Sequence, residues 1–155
     1  MHRSTFLQSV AAIALSASFA LPAFADGKGT KAEAEALVNK AVAHIKAVGA
    51  EKAFADFSTG ASWKDRDLYL FAYDMNGKCV AHGANAKLIG KDLLEMKDPD
   101  GKPVIKPAIE IAKDKGKGWT DTVKFRNPTT DKIQTRMNYV ARSGDYVIGS
   151  GVYLD

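Results

Sequence analysis

The final stretch of the chain, Tyr139–Tyr153, constrains the fold most. It reads as two β-strands joined by the short turn Ser143-Gly144-Asp145. The second strand carries Gly149 and Gly151, two residues apart, so both face the same side. Glycine inside a strand weakens it and marks a place where another group comes close to the backbone. A second hairpin lies upstream. Leu68–Asp74 is rich in aromatics, Asn76-Gly77 is a hairpin signal whose two central positions are expected at positive φ, and Lys78–Gly83 returns as the partner strand. Together these segments predict a small sheet curved around a pocket.

The other elements follow from caps and spacing. Thr30-Lys31-Ala32-Glu33 has the capping-box pattern, and Leu37, Ala41, Ile45 and Val48 recur at helical intervals up to Gly49. This predicts a helix over Lys31–Val48, followed by a short one over Glu51–Phe57. Ile89–Asp92 reads as a turn leading into one helical turn at Leu93–Met96, and Asp98-Pro99-Asp100-Gly101 as a break. Val104, Ile105, Ala108, Ile109 and Ala112 mark an amphipathic helix, in which Pro107 requires either a late start or a kink. Three strands close the chain, over Gly118–Phe125, Ile133–Arg142 and Tyr146–Leu154, as an antiparallel meander. The expected class is α+β with a five-stranded antiparallel sheet.

Residues 1–25 read as a signal peptide. His2 and Arg3 precede an apolar or small run, Phe6–Leu21, and Ala23-Phe24-Ala25 has the small-x-small form of a cleavage site. Cleavage after Ala25 would leave one exported domain, Asp26–Asp155, destined for the periplasm or the exterior; the alternative is a retained anchor. The formal net charge is +4, with lysines dispersed among acids. That pattern suits small anions and argues against nucleic acid as a partner.

The run Tyr69–Gly83, then Leu88-Ile89-Gly90-Lys91-Asp92-Leu93, Asp100-Gly101-Lys102-Pro103, Gly116-Lys117-Gly118-Trp119, Tyr139-Val140 and Tyr146–Tyr153 resembles, in order and spacing, a single Cache domain of the second type. The resemblance implies a PAS-like five-stranded antiparallel sheet, a long N-terminal helix across one face, short flanking helices, and a small-molecule pocket. It also implies an extracytoplasmic sensor for chemotaxis or signal transduction, in a family where many members bind short carboxylates. Family sensors usually run on into a transmembrane helix and an output domain, whereas this chain ends at Asp155. A separate membrane-bound receptor or kinase is therefore the expected partner, and a homodimer through the first helix is a further expectation. The competing reading is an accessory protein that docks on such a partner and whose pocket is vestigial.

Six residues are candidate ligand contacts. His82 matches a histidine that the family usually carries in the hairpin's return strand; its alternative role is a hydrogen-bonded histidine at a sheet edge. Tyr73, with Tyr69 and Phe71 on its face, offers a hydroxyl at the wall of an apolar pocket. Arg136 matches a position where the family usually has a basic residue, and its guanidinium fork suits a carboxylate. Trp119 is placed to roof a small pocket, and Met96, with Leu93, to fill another wall. Tyr139 is the sixth. On a regular strand Arg136 and Asn138 share one face while Met137 and Tyr139 share the other, so Tyr139 joins Arg136 only if a bulge intervenes. His44 reads as a packed core or interface histidine.

No enzyme signature emerges. Ile148-Gly149-Ser150-Gly151 lacks the first glycine of a nucleophile elbow, and neither a phosphate loop nor a dinucleotide fingerprint is present. No cofactor or metal is expected. Cys79 and His82 are three apart, which on a regular strand puts them on opposite faces. Cys79, the lone cysteine, reads as a small core residue.

Overall fold

The computed structural model describes residues 27–155. The expected signal peptide and its cleavage site lie outside the described residues. Helix α1 spans Lys31–Val48 and starts on the expected capping box: the Glu33 amide donates to the Thr30 hydroxyl, and the Glu33 carboxylate accepts from the Thr30 amide. Gly49 at φ 87° ends it, and α2 follows at once over Ala50–Thr59.

Seven strands follow: β1 (Lys64–Asp65), β2 (Leu68–Asp74), β3 (Cys79–His82), β4 (Lys117–Trp119), β5 (Val123–Arg126), β6 (Ile133–Ser143) and β7 (Tyr146–Tyr153). All pairings are antiparallel. β7 lies between β2 and β6, β3 pairs with β2, and β4 and β5 pair with successive stretches of β6. The five-stranded plan therefore holds, with β1 added at the start of β2 and one outer strand broken. The expected strand Gly118–Phe125 becomes two because Thr120–Thr122 leave the regular ladder, while the Thr120 amide still donates to the Asn138 carbonyl.

Helix α3 spans Lys106–Asp114. Pro107 lies in its first turn, where its missing N–H costs nothing, so the helix is not kinked there. The segment expected as a helical turn at Leu93–Met96 is a simple turn at Leu94–Glu95, closed by the Met96 amide on the Leu93 carbonyl. In the first hairpin only Gly77 takes positive φ, at 91°; Asn76 does not. The loop is one residue longer than the Asn-Gly turn presumes, and Asp74 Oδ1 holds it by accepting from the amides of Asn76 and Lys78.

Helices cover both sheet faces. Under α1 and α2 lie Val38, Phe54 and Phe57 with Leu70, Ala72, Tyr139 and Ile148. Under α3 and the loop before it lie Ile105, Ala108 and Ile109 with Tyr69, Phe71, Tyr73, Val140 and Val147. Burial on both sides explains why Leu68–Tyr73 is an unbroken apolar run rather than an alternating one.

Candidate functional site

The site sits on the α3 face and is built around Arg136. β6 runs in regular register here, with Arg136 opposite Tyr153 on one side and Val123 on the other. The side chain is only 2% exposed. Its guanidinium carbon lies 4.5 Å from the ring centre of Tyr69, 5.2 Å from Tyr153, 5.4 Å from Phe125 and 5.6 Å from Phe71. Four aromatic faces thus replace part of the lost hydration, each worth about 0.5–2 kcal/mol. Nη1 donates to the Tyr69 hydroxyl. Among the described residues, Nε and Nη2 have no partner, and Arg136 takes part in no ion pair. A buried cation without a counter-charge is costly, and one edge of its fork is left unpaired.

Gly149 and Gly151 make this arrangement possible. A Cβ on Gly151 would lie 2.2 Å from Arg136 Nε and 2.3 Å from Asn138 Oδ1. A Cβ on Gly149 would lie 2.3 Å from the tip of the Phe71 ring. The two glycines therefore open one strip of β7, where the guanidinium, the Asn138 amide and the aromatic wall settle against bare backbone. Asn138 Oδ1 is also buried without a partner among the described residues.

His82 is 2% exposed, and its Nδ1 accepts from the amides of Ala84 and Asn85 at 3.2 and 2.9 Å. Two donors on Nδ1 put the ring proton on Nε2, the donor that the ring offers to the cavities it lines. Burial, then the charges of Arg136 and Lys64, hold its pKa down to about 4, so the ring is neutral at pH 7. Tyr73 is 4% exposed, and burial, chiefly, raises its pKa, so its hydroxyl stays protonated.

Phe71, Tyr73, His82, Ile105, Arg136 and Asn138 enclose an inner cavity of about 10 Å³, enough for one water-sized group. A larger cleft of about 500 Å³ adjoins it, bounded by Leu88, Met96, Asp98, Lys124 and Ile133 among others. His82, Val104 and Phe125 line both spaces. Another cleft of about 480 Å³, between Lys102–Val104 and Thr120–Val123, has none of the buried unpartnered polar atoms in its lining.

The structure thus brings Tyr73, His82 and Arg136 together and puts Met96 in the adjoining cleft. It separates Trp119 and Tyr139 from them. These two pack on each other at 5.5 Å under the helices of the opposite face. The bulge that would have reconciled Tyr139 with Arg136 is absent, because β6 keeps an unbroken register against β7 from Arg136 to Ser143. A bulge occurs instead in β3. Phe71 pairs with His82, Ala72 with Ala81, and Tyr73 with Cys79, so Val80 is the extra residue. This overturns the expectation for Cys79 and His82: both lie on the α3 face. Among the described residues no group of three or more metal-ligating side chains forms around them or elsewhere. Cys79 is fully buried, and burial pushes its thiol up to about 11. His44 is half-buried, hydrogen-bonded through Nε2 to Asp56 Oδ2 at 2.8 Å and packed on Trp63. Asn138, Phe125 and Tyr153 were not anticipated as part of the site; Tyr153 shares a strand face with Gly149 and Gly151, and that alternation was the available signal.

The fold is shared with known proteins. A family model described as single Cache domain 2 matches residues 7–155. The chain belongs to the single Cache domain 2 family. Among solved structures, this Cache domain resembles a methyl-accepting chemotaxis protein from Vibrio parahaemolyticus, at 26% identity and a TM-score of 0.69, over 81% of this chain and 88% of that one. It has the same fold as a Cache chemosensory domain solved as a basis for carboxylic acid recognition, at 23% identity and a TM-score of 0.67, over 80% and 92% of the two chains. In sequence it is similar to the sensor histidine kinase MctS of Rhizobium johnstonii, 34% identical over 92 residues, and to the methyl-accepting chemotaxis protein McpP of Pseudomonas putida, 30% identical over 93. Those matches take in 58% and 59% of this chain but only 20% and 17% of the two relatives. The domain is thus of the kind carried by chemotaxis receptors and sensor kinases. No helix among the described residues is long and apolar enough to cross a membrane.

Proposed function

We propose that this Cache domain is an exported sensor module that binds a small organic anion, a carboxylate of two to four carbons, in the cavity at Arg136. The observation that carries the reading is the buried guanidinium with Nε and Nη2 unpaired and no ion pair among the described residues. A carboxylate supplies what the site lacks: two oxygens that accept from one edge of a planar fork. The neutral His82 and the protonated Tyr73 add donors that need no further charge. The cavity as it stands holds one water-sized group, so a bound acid displaces part of its wall toward the adjoining cleft of about 500 Å³, and the tail must be short. The kinship with MctS and McpP, and the carboxylic-acid-recognising neighbour of the same fold, support the same class of role. The domain would report occupancy to a membrane-bound receptor or kinase, with the outward face of α1 available for self-association.

Isothermal titration with acetate, propionate, butyrate and pyruvate tests this. Arg136→Ala is expected to weaken the best ligand by about a hundredfold, as loss of a buried charge-assisted pair costs 2–5 kcal/mol. Full affinity in that variant, with a native melting profile, would remove the anchor and the reading with it.

A further inference from the structure

The inner cavity and the outer cleft share three residues, and these differ in how firmly they are held. His82 is fixed by two backbone amides on Nδ1. Val104 is buried, and its amide donates to the Met96 carbonyl. Phe125 alone is half-exposed, with no bond on its side chain. Its ring stands 5.4 Å from the Arg136 guanidinium on the inner side and faces the cleft on the outer. The backbone around it is pinned: Asp98 Oδ2 accepts from the Lys124 amide at 2.8 Å, and Arg126 bonds Asp131 at 2.7 Å. The strand is therefore held by hydrogen bonds and the ring by packing alone, against the core and the guanidinium, so side-chain rotation is the route between the two spaces.

We infer that Phe125 is the gate and the chain-length selector of this site. With its ring against Arg136, the inner space is about 10 Å³, room for one water-sized group and no acid. Turned outward, it joins that space to the cleft of about 500 Å³. A two- or three-carbon acid needs only a partial turn of the ring, which keeps much of its contact with the guanidinium. A longer acid holds the ring open, loses the ring's contact with the guanidinium, and must lay its tail in the cleft beside Met96 and Leu88. The inference rests on the carboxylate reading of Arg136 and adds the residue that sets which carboxylates are accepted.

The experiment is titration of straight-chain acids from acetate to hexanoate into the wild-type protein, Phe125→Ala and Phe125→Leu, with melting curves for each. Wild type should favour propionate over hexanoate. In Phe125→Ala that affinity ratio should fall by about tenfold or more, because three extra methylenes buried in the opened cleft are together worth up to about fiftyfold. Phe125→Leu should fall between, and it decides the matter if the alanine variant does not fold. A ratio within about twofold of wild type in the folded variants would overturn the gate while leaving Arg136 as anchor. Wild type already favouring hexanoate would overturn it as well. Wild-type protein that binds none of these acids at millimolar concentration would remove the carboxylate reading, and the gate with it.

Discussion

Gly151→Ala is the most direct test of how the site is built. The added Cβ would stand 2.2 Å from Arg136 Nε, 2.3 Å from Asn138 Oδ1 and 2.8 Å from Arg136 Cζ. Ordinary Cβ contacts begin near 3.4 Å, so the nearest atom must retreat by about 1.2 Å. Retreat is not cheap here. Nε lies mid-way along the side chain, the guanidinium is bounded by four rings, and Nη1 is tied to the Tyr69 hydroxyl. Overpacking of this kind costs about 1–3 kcal/mol. At roughly 3–5 °C per kcal/mol for a domain of this size, differential scanning calorimetry should show Tm lower by about 3–15 °C. Affinity for the best acid should fall by about tenfold or more, since a fork displaced by an ångström no longer meets both oxygens. Gly149→Ala separates packing from recognition. Its Cβ would meet Phe71 at 2.3 Å and Val140 at 3.0 Å, so it should destabilise comparably while weakening the acid less. Gly118→Ala, whose Cβ meets only Ile111 at 3.1 Å, is the mild control. If Gly151→Ala melts within 1–2 °C of wild type, by the same scale, and binds as well, the glycine is not the seat of the guanidinium.

Two further predictions concern titratable groups. His82 is depressed to about 4 in the folded state from an ordinary 6.5, so the unfolded chain binds more protons between those values. Its contribution is complete above pH 6.5, declines as pH falls toward 4, and amounts to about 3 kcal/mol in all; urea titrations at pH 7.5 and 4.5 should show this slope, and it should flatten in His82→Gln. If the slope survives in His82→Gln, another group is responsible. Cys79, buried with its thiol raised to about 11, should resist a thiol-specific reagent at pH 8 in the native protein and react fully in denaturant; rapid labelling of the native protein would contradict its placement in the core.

Several features of the site were legible in the chain. The alternation of Tyr69, Phe71 and Tyr73 put three rings on one face, and the fixed period of a strand guarantees that result once the strand is recognised. Gly149 and Gly151 announced a close approach without saying by what. Arg136 and Asn138 were paired by the same period, and the exclusion of Tyr139 followed once β6 proved regular. The placement of His82 beside Cys79 was not legible, because a one-residue bulge at Val80 reverses the parity of the return strand, and nothing local marks it.

The extent of α1 was decided locally: a capping box at Thr30 and a glycine at 49 satisfy or free the end groups of a helix whatever lies around it. The strand order, the site's face and the seat left by two missing Cβ atoms needed the assembled sheet. Whether Arg136 points into water or into rings depends on Phe125 and Tyr153 from neighbouring strands, and on Tyr69 from a strand 67 residues earlier. A side chain's surroundings are a property of packing, and packing joins residues between which sequence distance carries no information.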